Sequence, residues 1–571
     1  MKKDLRSVFE PGSTRWAVRR AQWLAMGLSE EDLLKPKIAV VNSSSKLSVC
    51  YQHLDGISQL VQEAIRDAGG VPFEIHTTAP SDFITSAGRK GRYLMPSRDL
   101  LVNDVEAQVE GAVLDGMVLL ASCDKTTPGQ LMAAARLDIP SIIVPCGYQL
   151  GSACGGAHRG EATVDIEEVY KAVGSVKAGT LSLDGLQQMT CHAIRGPGVC
   201  AGLATANSMH ILAEALGMAL PGSAPIRANS ERQQELARQA GRQILELIEA
   251  DLTPRKILTP AAFRNALRVA VTTGTSVNTI RHLIATAVEA ECAVDVLAEL
   301  EALQHLPQIT QIRPNGPTRI EELEQAGGCR GVMARLSEEL EHEALTITGR
   351  TVGVNLASAP EPDSAVIRPL AQPFRNEPGL ILIRGNLAPD GAIVKLSAVP
   401  ASIRRFEGPS RVFEDEDQAI DGLENGAVRP GDAVVLRMLG PKGGPGTVFA
   451  ASFMAALVGA GLGETVAVIT DGELSGLNSG ITIGQVMPEA AEGGPLAVVR
   501  DGDVIVIDLT ERTLVLKVDE TELAARLAAW QPPVQDLKPG WLSFYRQLVQ
   551  PLSQGAVLGE RKNFAPPRDR S

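Results

Sequence analysis

The chain has 571 residues, of which 44% are hydrophobic and 21% charged, and its formal net charge is −13. This length exceeds what one core normally supports and predicts about two to four domains. The acidic charge, together with an aromatic content of 4%, argues against a nucleic-acid-binding or anionic-membrane surface.

The first residues, MKKDLRSVFEPGS, lack the apolar core of a secretory signal, and no run of about 18 apolar residues predicts a membrane span. We therefore expect a cytoplasmic protein. Eight cysteines lie at or before Cys329, and none belongs to a CxxC pair. In a large cytosolic protein, metal binding or burial explains such cysteines better than disulfides do, and any cluster must be assembled from distant loops.

Strands and helices alternate through the first part of the chain. Apolar runs predict strands, and helical spacing of apolar residues predicts the segments between them. The predicted strands are residues 38–41, 71–75, 117–121 and 141–144, and the helices between them cover residues 57–65, residues from 97 onward and residues from 126 onward. This alternation is typical of a parallel α/β layer with crossover helices.

Helices dominate from about residue 163 to 290, and LASAPEPD at 356–363 reads as a linker. Short β-rich runs follow at 380–383, 392–396, 433–438, 466–469 and 504–509, and then a helix at 520–530. We predict an α/β protein with a large N-terminal domain, residues 1–362, that contains the parallel sheet. A smaller β-rich C-terminal domain, residues 363–571, follows, and the active site is expected in the cleft between the two.

The stretch LLASCDKTTPGQLM, residues 119–132, places a thiol, a carboxylate, an amine and a helix start close together. Cys123, Asp124 and Lys125 follow a predicted strand, at the edge where open α/β sheets bind their ligands. The amide groups at the start of the next helix would favour a thiolate or another anion there. The alternative is a buried cysteine beside a solvated Asp–Lys pair.

CDKTTPG resembles the signature of the dihydroxy-acid dehydratase and 6-phosphogluconate dehydratase family, which includes sugar-acid dehydratases. Similar segments run in family order from about residue 37 to 508. The resemblance implies a hydro-lyase that dehydrates a 2,3-dihydroxy carboxylate or a sugar acid (aldonate) to a 2-keto-3-deoxy acid. It also implies a small hydroxy-acid substrate and a homodimer or homotetramer.

In this family, cysteines that match Cys50, Cys123 and Cys200 hold an iron–sulfur cluster, which we expect to be [2Fe–2S] rather than [4Fe–4S]. Three thiolates leave one iron position open, and an open position lets a metal act as a Lewis acid on the leaving hydroxyl. For each cysteine alone, plain burial is the alternative. Cys191 fits the family position less well, and the remaining cysteines are interpreted as structural: Cys146, Cys154, Cys292 and Cys329.

The resemblance also implies a Mg²⁺ site. Asp82, in SDFITSAGRKGRYLMPSRD, and Asp124 match acidic ligands, and Lys125 matches a lysine that some members carry as a carbamate. An ammonium cannot bind a cation, whereas a carbamate offers oxygens, so carbamylation of Lys125 is a hypothesis that comes with the family. For Asp82 alone, a helix cap or a solvated loop carboxylate is the alternative.

VAVITDGELSG, residues 466–476, resembles the second family signature, and Ser475 falls where the family places its proton-abstracting alkoxide. Ser475 and Lys125 are therefore the predicted catalytic residues. A serine is a weak base unless its pKa is lowered, and a bound divalent cation can lower it. Without the resemblance, Ser475 would read as a simple turn residue.

Two residues depart from the family pattern. Phe449 occupies the position of an acidic metal ligand, and Glu473 stands where an arginine usually follows Thr-Asp-Gly. Glu473 could supply the missing carboxylate from its neighbouring loop. The alternative function is a diverged member with an altered metal site that performs different chemistry or only binds a ligand. A plain structural or redox cluster protein would leave the co-occurrence of Asp82, Asp124, Lys125 and Ser475 without a reason.

Overall fold

The computed structural model describes residues 5–560, apart from 86, 88–90, 154–162, 178, 448, 477–478 and 534–536. Cys154 therefore lies outside the described residues. Within the described part, we find no helix that combines the length and the apolar character needed to cross a membrane.

A four-stranded parallel sheet forms the centre of the N-terminal part. Its strands are β1 (Lys37–Asn42), β2 (Val71–His76), β3 (Gly116–Ala121) and β4 (Ser141–Pro145), in the order β2-β1-β3-β4. Every residue of β1, β3 and β4 is buried, as expected for parallel strands covered on both faces. The predicted parallel α/β layer is confirmed. Two short strands, β5 (Ser152–Ala153) and β6 (Thr163–Val164), pair separately.

Helices cover the sheet, and two of them flank the loop that carries the CDKTTPG motif. The helices of this part are α1 (Thr14–Ala25), α2 (Leu54–Asp67), α3 (Asp82–Thr85), α4 (Leu94–Ala112), α5 (Thr126–Leu137), α6 (Ile166–Lys177), α7 (Leu183–His192), α8 (Thr205–Ala215), α9 (Glu231–Ala250), α10 (Pro254–Ile257), α11 (Pro260–Thr273), α12 (Asn278–Glu289), α13 (Val296–Ala302), α14 (Ile320–Gln325), α15 (Gly328–Arg335) and α16 (Val352–Leu356). Helices α4 and α12 pack on α5, the helix that starts directly after this loop.

The C-terminal part is built on a closed eight-stranded barrel. Its strands are β7 (Ile381–Gly385), β8 (Ala388–Val394), β9 (Arg405–Phe413), β10 (Ala433–Leu436), β11 (Ala467–Thr470), β12 (Thr482–Met487), β13 (Val504–Asp508) and β14 (Thr513–Leu516), in the order β10-β11-β12-β8-β7-β14-β13-β9. The helices are α17 (Glu416–Glu424), α18 (Ala451–Gly459), α19 (Glu520–Ala529) and α20 (Trp541–Leu548). The predicted β-rich character is confirmed, but the sequence did not predict β9, β12 or β14.

The last described residues return to the N-terminal sheet layer. Arg98 of α4 donates hydrogen bonds to the carbonyl oxygens of Gly555 at 3.1 Å and Ala556 at 2.7 Å. Met95, Tyr545, Val549 and Ala556 form a small apolar cluster around this contact. The end of the chain therefore packs against α4, although the predicted boundary after residue 362 assigned it to the second domain.

Candidate functional site

The loop between β3 and α5 presents Cys123, Asp124 and Lys125 at the carboxyl end of a central strand. Thr126 fixes the loop, because its hydroxyl accepts from the amide of Ser122 at 3.0 Å and donates to the carbonyl of Cys123 at 3.1 Å. All three motif side chains are buried. Asp124 and Lys125 are thus not the solvated pair that the alternative interpretation required.

The three predicted cluster cysteines interact electrostatically, and Cys50 and Cys123 share a side-chain hydrogen bond. Cys50, Cys123 and Cys200 are all buried free thiols. A hydrogen bond with Cys123 lowers the pKa of Cys50 and raises that of Cys123 well above its ordinary value. Burial also raises the pKa of Cys200, and the negative charges of Asp82 and Cys50 add to that increase. Three sulfurs from three separate loops therefore share one electrostatic environment.

The other described cysteines differ from these three in their surroundings. Cys146, Cys292 and Cys329 are buried, whereas Cys191 is exposed at the end of α7. Cys329 Sγ donates to the carbonyl of Ile211 at 3.3 Å, a contact between two core helices. The structural interpretation of these residues stays a prediction.

A cavity of about 370 Å³ has walls from both halves of the chain. Asp82, Asp124 and Cys200 line it from the N-terminal part, and Phe449 and Ser475 line it from the C-terminal part. Cys123 Sγ donates to Asp82 Oδ1 at 3.5 Å, which connects the cysteines to the carboxylates. The predicted base, two predicted metal ligands and one predicted cluster ligand thus face one space.

Lys125 lies behind this wall in a network of ion pairs. Its ammonium contacts the Asp124 carboxylate and lies 3.2 Å from Glu473 Oε1. It also lies 5.0 Å from the ring centroid of Phe449, within the range of a cation–π interaction. Burial lowers the pKa of Lys125 to about 8, against the opposing effect of the Asp124 charge. The two carboxylates that pair with Lys125 favour its ammonium form.

Glu473 turns away from the cavity and toward two cations. It is fully buried, pairs with Arg281 of α12 as well as with Lys125, and is not among the described residues that line the cavity. The buried Glu473 carboxylate is stabilised by the two cations that pair with it, and its role as a replacement metal ligand stays a hypothesis. Sequence reasoning missed Arg281, which lies in the amphipathic stretch 277–290 with no local motif around it.

The segment that carries Ser475 is fixed on both sides. After β11, the Asp471 carboxylate accepts hydrogen bonds from the amides of Leu439 at 3.0 Å and Ala490 at 2.9 Å. Asn278 Nδ2 donates to the carbonyl of Leu474 at 2.9 Å, directly before the serine. Asn278 begins α12, and the sequence did not identify it as a site residue. The serine thus reaches the cavity wall on a segment that both parts of the chain hold in place.

In the described residues, no group of three His, Cys, Asp or Glu side chains converges as a single metal ion would require. At the proposed Mg²⁺ position, the described donors are the carboxylates of Asp82 and Asp124, and the second of these is paired with an ammonium. A two-iron cluster spreads its ligands over two metal atoms, so its three thiols need not converge on one point. The donor set therefore suits a cluster better than a bound hard cation.

Comparison with known proteins agrees with this geometry. The family models described as "Dihydroxy-acid/6-phosphogluconate dehydratase N-terminal" and "C-terminal" match residues 35–355 and 365–556. The chain is 43% identical to the dihydroxy-acid dehydratase of Syntrophobacter fumaroxidans over 95% of this chain and 97% of that protein. It is 42% identical to that of Pyrococcus abyssi and 40% to that of Methanococcoides burtonii, each over 95% of this chain and 98% of the relative.

These matches define the class of enzyme as a dehydratase, a hydro-lyase. The chain belongs to the dihydroxy-acid/6-phosphogluconate dehydratase family, which generally uses an iron–sulfur cluster and Mg²⁺. The two matched regions confirm a two-domain architecture, and the predicted boundary at residues 362 and 363 falls between them but stays a prediction.

Proposed function

We propose that this enzyme dehydrates a 2,3-dihydroxy carboxylate or an aldonate to a 2-keto acid, which is a 2-keto-3-deoxy acid when the substrate is an aldonate. The observation that carries the proposal is the cavity in which Cys200, Asp124 and Ser475 meet. A cavity of about 370 Å³ lies within the size range of small-molecule sites. The relatives named dihydroxy-acid dehydratase support the same class of substrate.

We propose that Cys50, Cys123 and Cys200 would hold a [2Fe–2S] cluster. The chemistry of the donor set fits, because three buried free thiols in one environment provide the soft ligands that iron–sulfur clusters require. When bound, the cluster would supply a Lewis acid that withdraws electrons from the leaving C3 hydroxyl.

Ser475 is the proposed acceptor of the C2 proton. It lines the same cavity as Asp124 and Cys200, and the hydrogen bond from Asn278 to Leu474 keeps its segment in place. Removal of that proton and loss of the C3 hydroxyl leave an enol, which becomes the 2-keto acid by proton transfer. The walls contributed by Phe449 and Ala204 would limit access of water to the reacting carbons.

The residues present do not fit a tightly held Mg²⁺. Phe449 offers no oxygen, and the Lys125 ammonium both occupies the Asp124 carboxylate and repels a second cation. No step of the proposed reaction is therefore assigned to Mg²⁺. A divalent cation is also what would make the Ser475 hydroxyl basic, so the same feature weakens Ser475 as a proton acceptor. It therefore favours the second candidate function, a diverged member that performs different chemistry or only binds a ligand.

Anaerobic purification followed by a substrate panel would test the proposal. We expect a brown protein that forms 2-keto acids, detected as hydrazones, from at least one 2,3-dihydroxy carboxylate or aldonate. Ser475→Ala should keep the colour and iron content but lose turnover by at least about 100-fold, since general-base catalysis contributes about 10²–10⁴-fold. A coloured wild-type protein without turnover on the whole panel would favour the second candidate instead.

A further inference from the structure

Two buried cations and two buried carboxylates lie next to one another at the cavity wall and behind it. Lys125 pairs with Asp124 and with Glu473 Oε1, and Glu473 pairs also with Arg281. The side chains of Lys125 and Glu473 are fully buried, and those of Arg281 and Asp124 are 1% and 4% exposed. Buried charges are tolerated when they are paired, and in this network two cations offset two carboxylates.

Phe449 closes the network toward the cavity. Its ring lines the cavity on one side, and its centroid lies 5.0 Å from the Lys125 ammonium on the other. An aromatic face attracts an ammonium but provides no lone pair that could bind a hard metal ion. Phe449 and Glu473, the two residues that depart from the family pattern, therefore both contact the Lys125 side chain. Neither position on its own indicates this shared contact.

A carbamate on Lys125 would reverse this arrangement. The amine would become an anion between Asp124 and Glu473, and three buried negative charges would then lie beside Arg281. Unpaired charges in a dry interior are strongly destabilising. The residues around Lys125 thus stabilise the ammonium and oppose the modified form.

We propose that Lys125 is an unmodified ammonium that takes the place of a bound divalent cation in this enzyme. Asp124 and Glu473 hold it, Arg281 balances Glu473, and Phe449 separates it from the cavity. The Asp82 and Asp124 carboxylates consequently do not form a tight Mg²⁺ site. The proposal concerns the site described under the proposed function, but its measurements do not depend on turnover.

Wild-type protein purified anaerobically with its iron should be tested first. Peptide mass spectrometry under conditions that preserve carbamates should find no added CO₂ on Lys125. Titration with Mn²⁺, followed by electron paramagnetic resonance, should show no saturable site below about 1 mM, because an ammonium and an aromatic ring replace oxygen ligands. A stoichiometric Mn²⁺ site of micromolar affinity, or a carbamate on Lys125, would overturn the proposal.

A variant designed to bind a divalent cation tests whether Lys125 and Phe449 are what excludes it. The double variant Lys125→Met/Phe449→Glu removes the ammonium and adds a carboxylate beside Asp82 and Asp124. It should bind Mn²⁺ at least about tenfold more tightly than the wild type does, because three carboxylates then face the ion. The matched control is Lys125→Met/Phe449→Gln, which has the same size but lacks the charge and should gain much less. Equal binding by both variants would show that these two residues do not exclude the cation.

The two proposals fail in different ways. Turnover together with a tight Mn²⁺ site would support the proposed dehydratase function and contradict the proposal that the Lys125 ammonium replaces a divalent cation. An unmodified Lys125 and no Mn²⁺ site, in a protein that turns over no member of the substrate panel, would do the opposite.

Discussion

The two ends of the motif Cys123-Asp124-Lys125 have different surroundings, which we call the sulfur side and the charged side. On the sulfur side, the three cysteines that the family resemblance identifies are buried in one environment. On the charged side, Lys125 lies in a network that contains Glu473 and borders Phe449, the two residues that depart from the family pattern. Both departures from the family pattern thus lie beside one side chain, Lys125.

The largest effect is expected on the sulfur side. Cys123→Ser should remove the cluster and lower turnover by more than about 100-fold, since even outer-shell changes at metal sites cost about 10–100-fold. Iron content, visible absorbance and 2-keto acid formation would measure it. Cys191→Ser is the matched control, because Cys191 is exposed. This variant should leave iron content, visible absorbance and 2-keto acid formation unchanged. Full iron content in Cys123→Ser would contradict the assigned role.

On the charged side, Arg281→Met should lower the free energy of unfolding by about 3–5 kcal/mol, because it leaves the buried Glu473 with one cation instead of two. Anaerobic urea unfolding would measure the change. The double variant Arg281→Met/Glu473→Met should recover much of the loss, since it removes both charges.

The control for that measurement is Arg242→Ala. Its ion pair with Glu235 is exposed, with side-chain exposures of 50% and 61%, and should be worth at most about 1 kcal/mol. If Arg281→Met cost no more than this surface variant, the buried network would not stabilise the fold.

Lys395, in the C-terminal part, is a second buried lysine that can be compared with Lys125. Burial lowers its pKa to about 7, and Glu167 is the charge that opposes the shift. Between pH 7 and about 10, the unfolded chain therefore binds more protons than the folded one, so stability contributed at this position rises with pH. Relative to Lys395→Met, the wild type should gain up to about 1.4 kcal/mol per pH unit in that window. A difference that stays constant from pH 7 to 9 in urea unfolding would contradict this.

The smallest expected effect is the coupling between Phe449 and Lys125. A cation–π contact with a buried ammonium contributes about 0.5–2 kcal/mol. A double-mutant cycle of Phe449→Leu and Lys125→Met, measured by unfolding, isolates that term from the loss of packing. Additive single-variant effects would mean that the ring acts only as a cavity wall.

Local sequence signals predicted the parallel sheet well. Continuous apolar runs identified β1, β3 and β4, and in the C-terminal part the helix predicted at 520–530 matches α19 (Glu520–Ala529). The barrel strand β9 (Arg405–Phe413) was missed because it contains Gly408 and Pro409 and alternates in burial with charged residues. Closure was also missed, because it depends on β9 pairing with β10 on one side and β13 on the other.

By itself, the sequence determined the family, the parallel layer and the candidate residues Cys50, Cys123, Cys200, Asp82, Asp124, Lys125 and Ser475, since these depend on composition, short patterns and recognisable motifs. Only the tertiary structure decided what surrounds Lys125. Arg281 and Glu473 are 192 positions apart along the chain, and their charges interact only because folding brings them into one dry space. Electrostatic energy depends on distance and on exclusion of water, and neither quantity can be read from the order of residues.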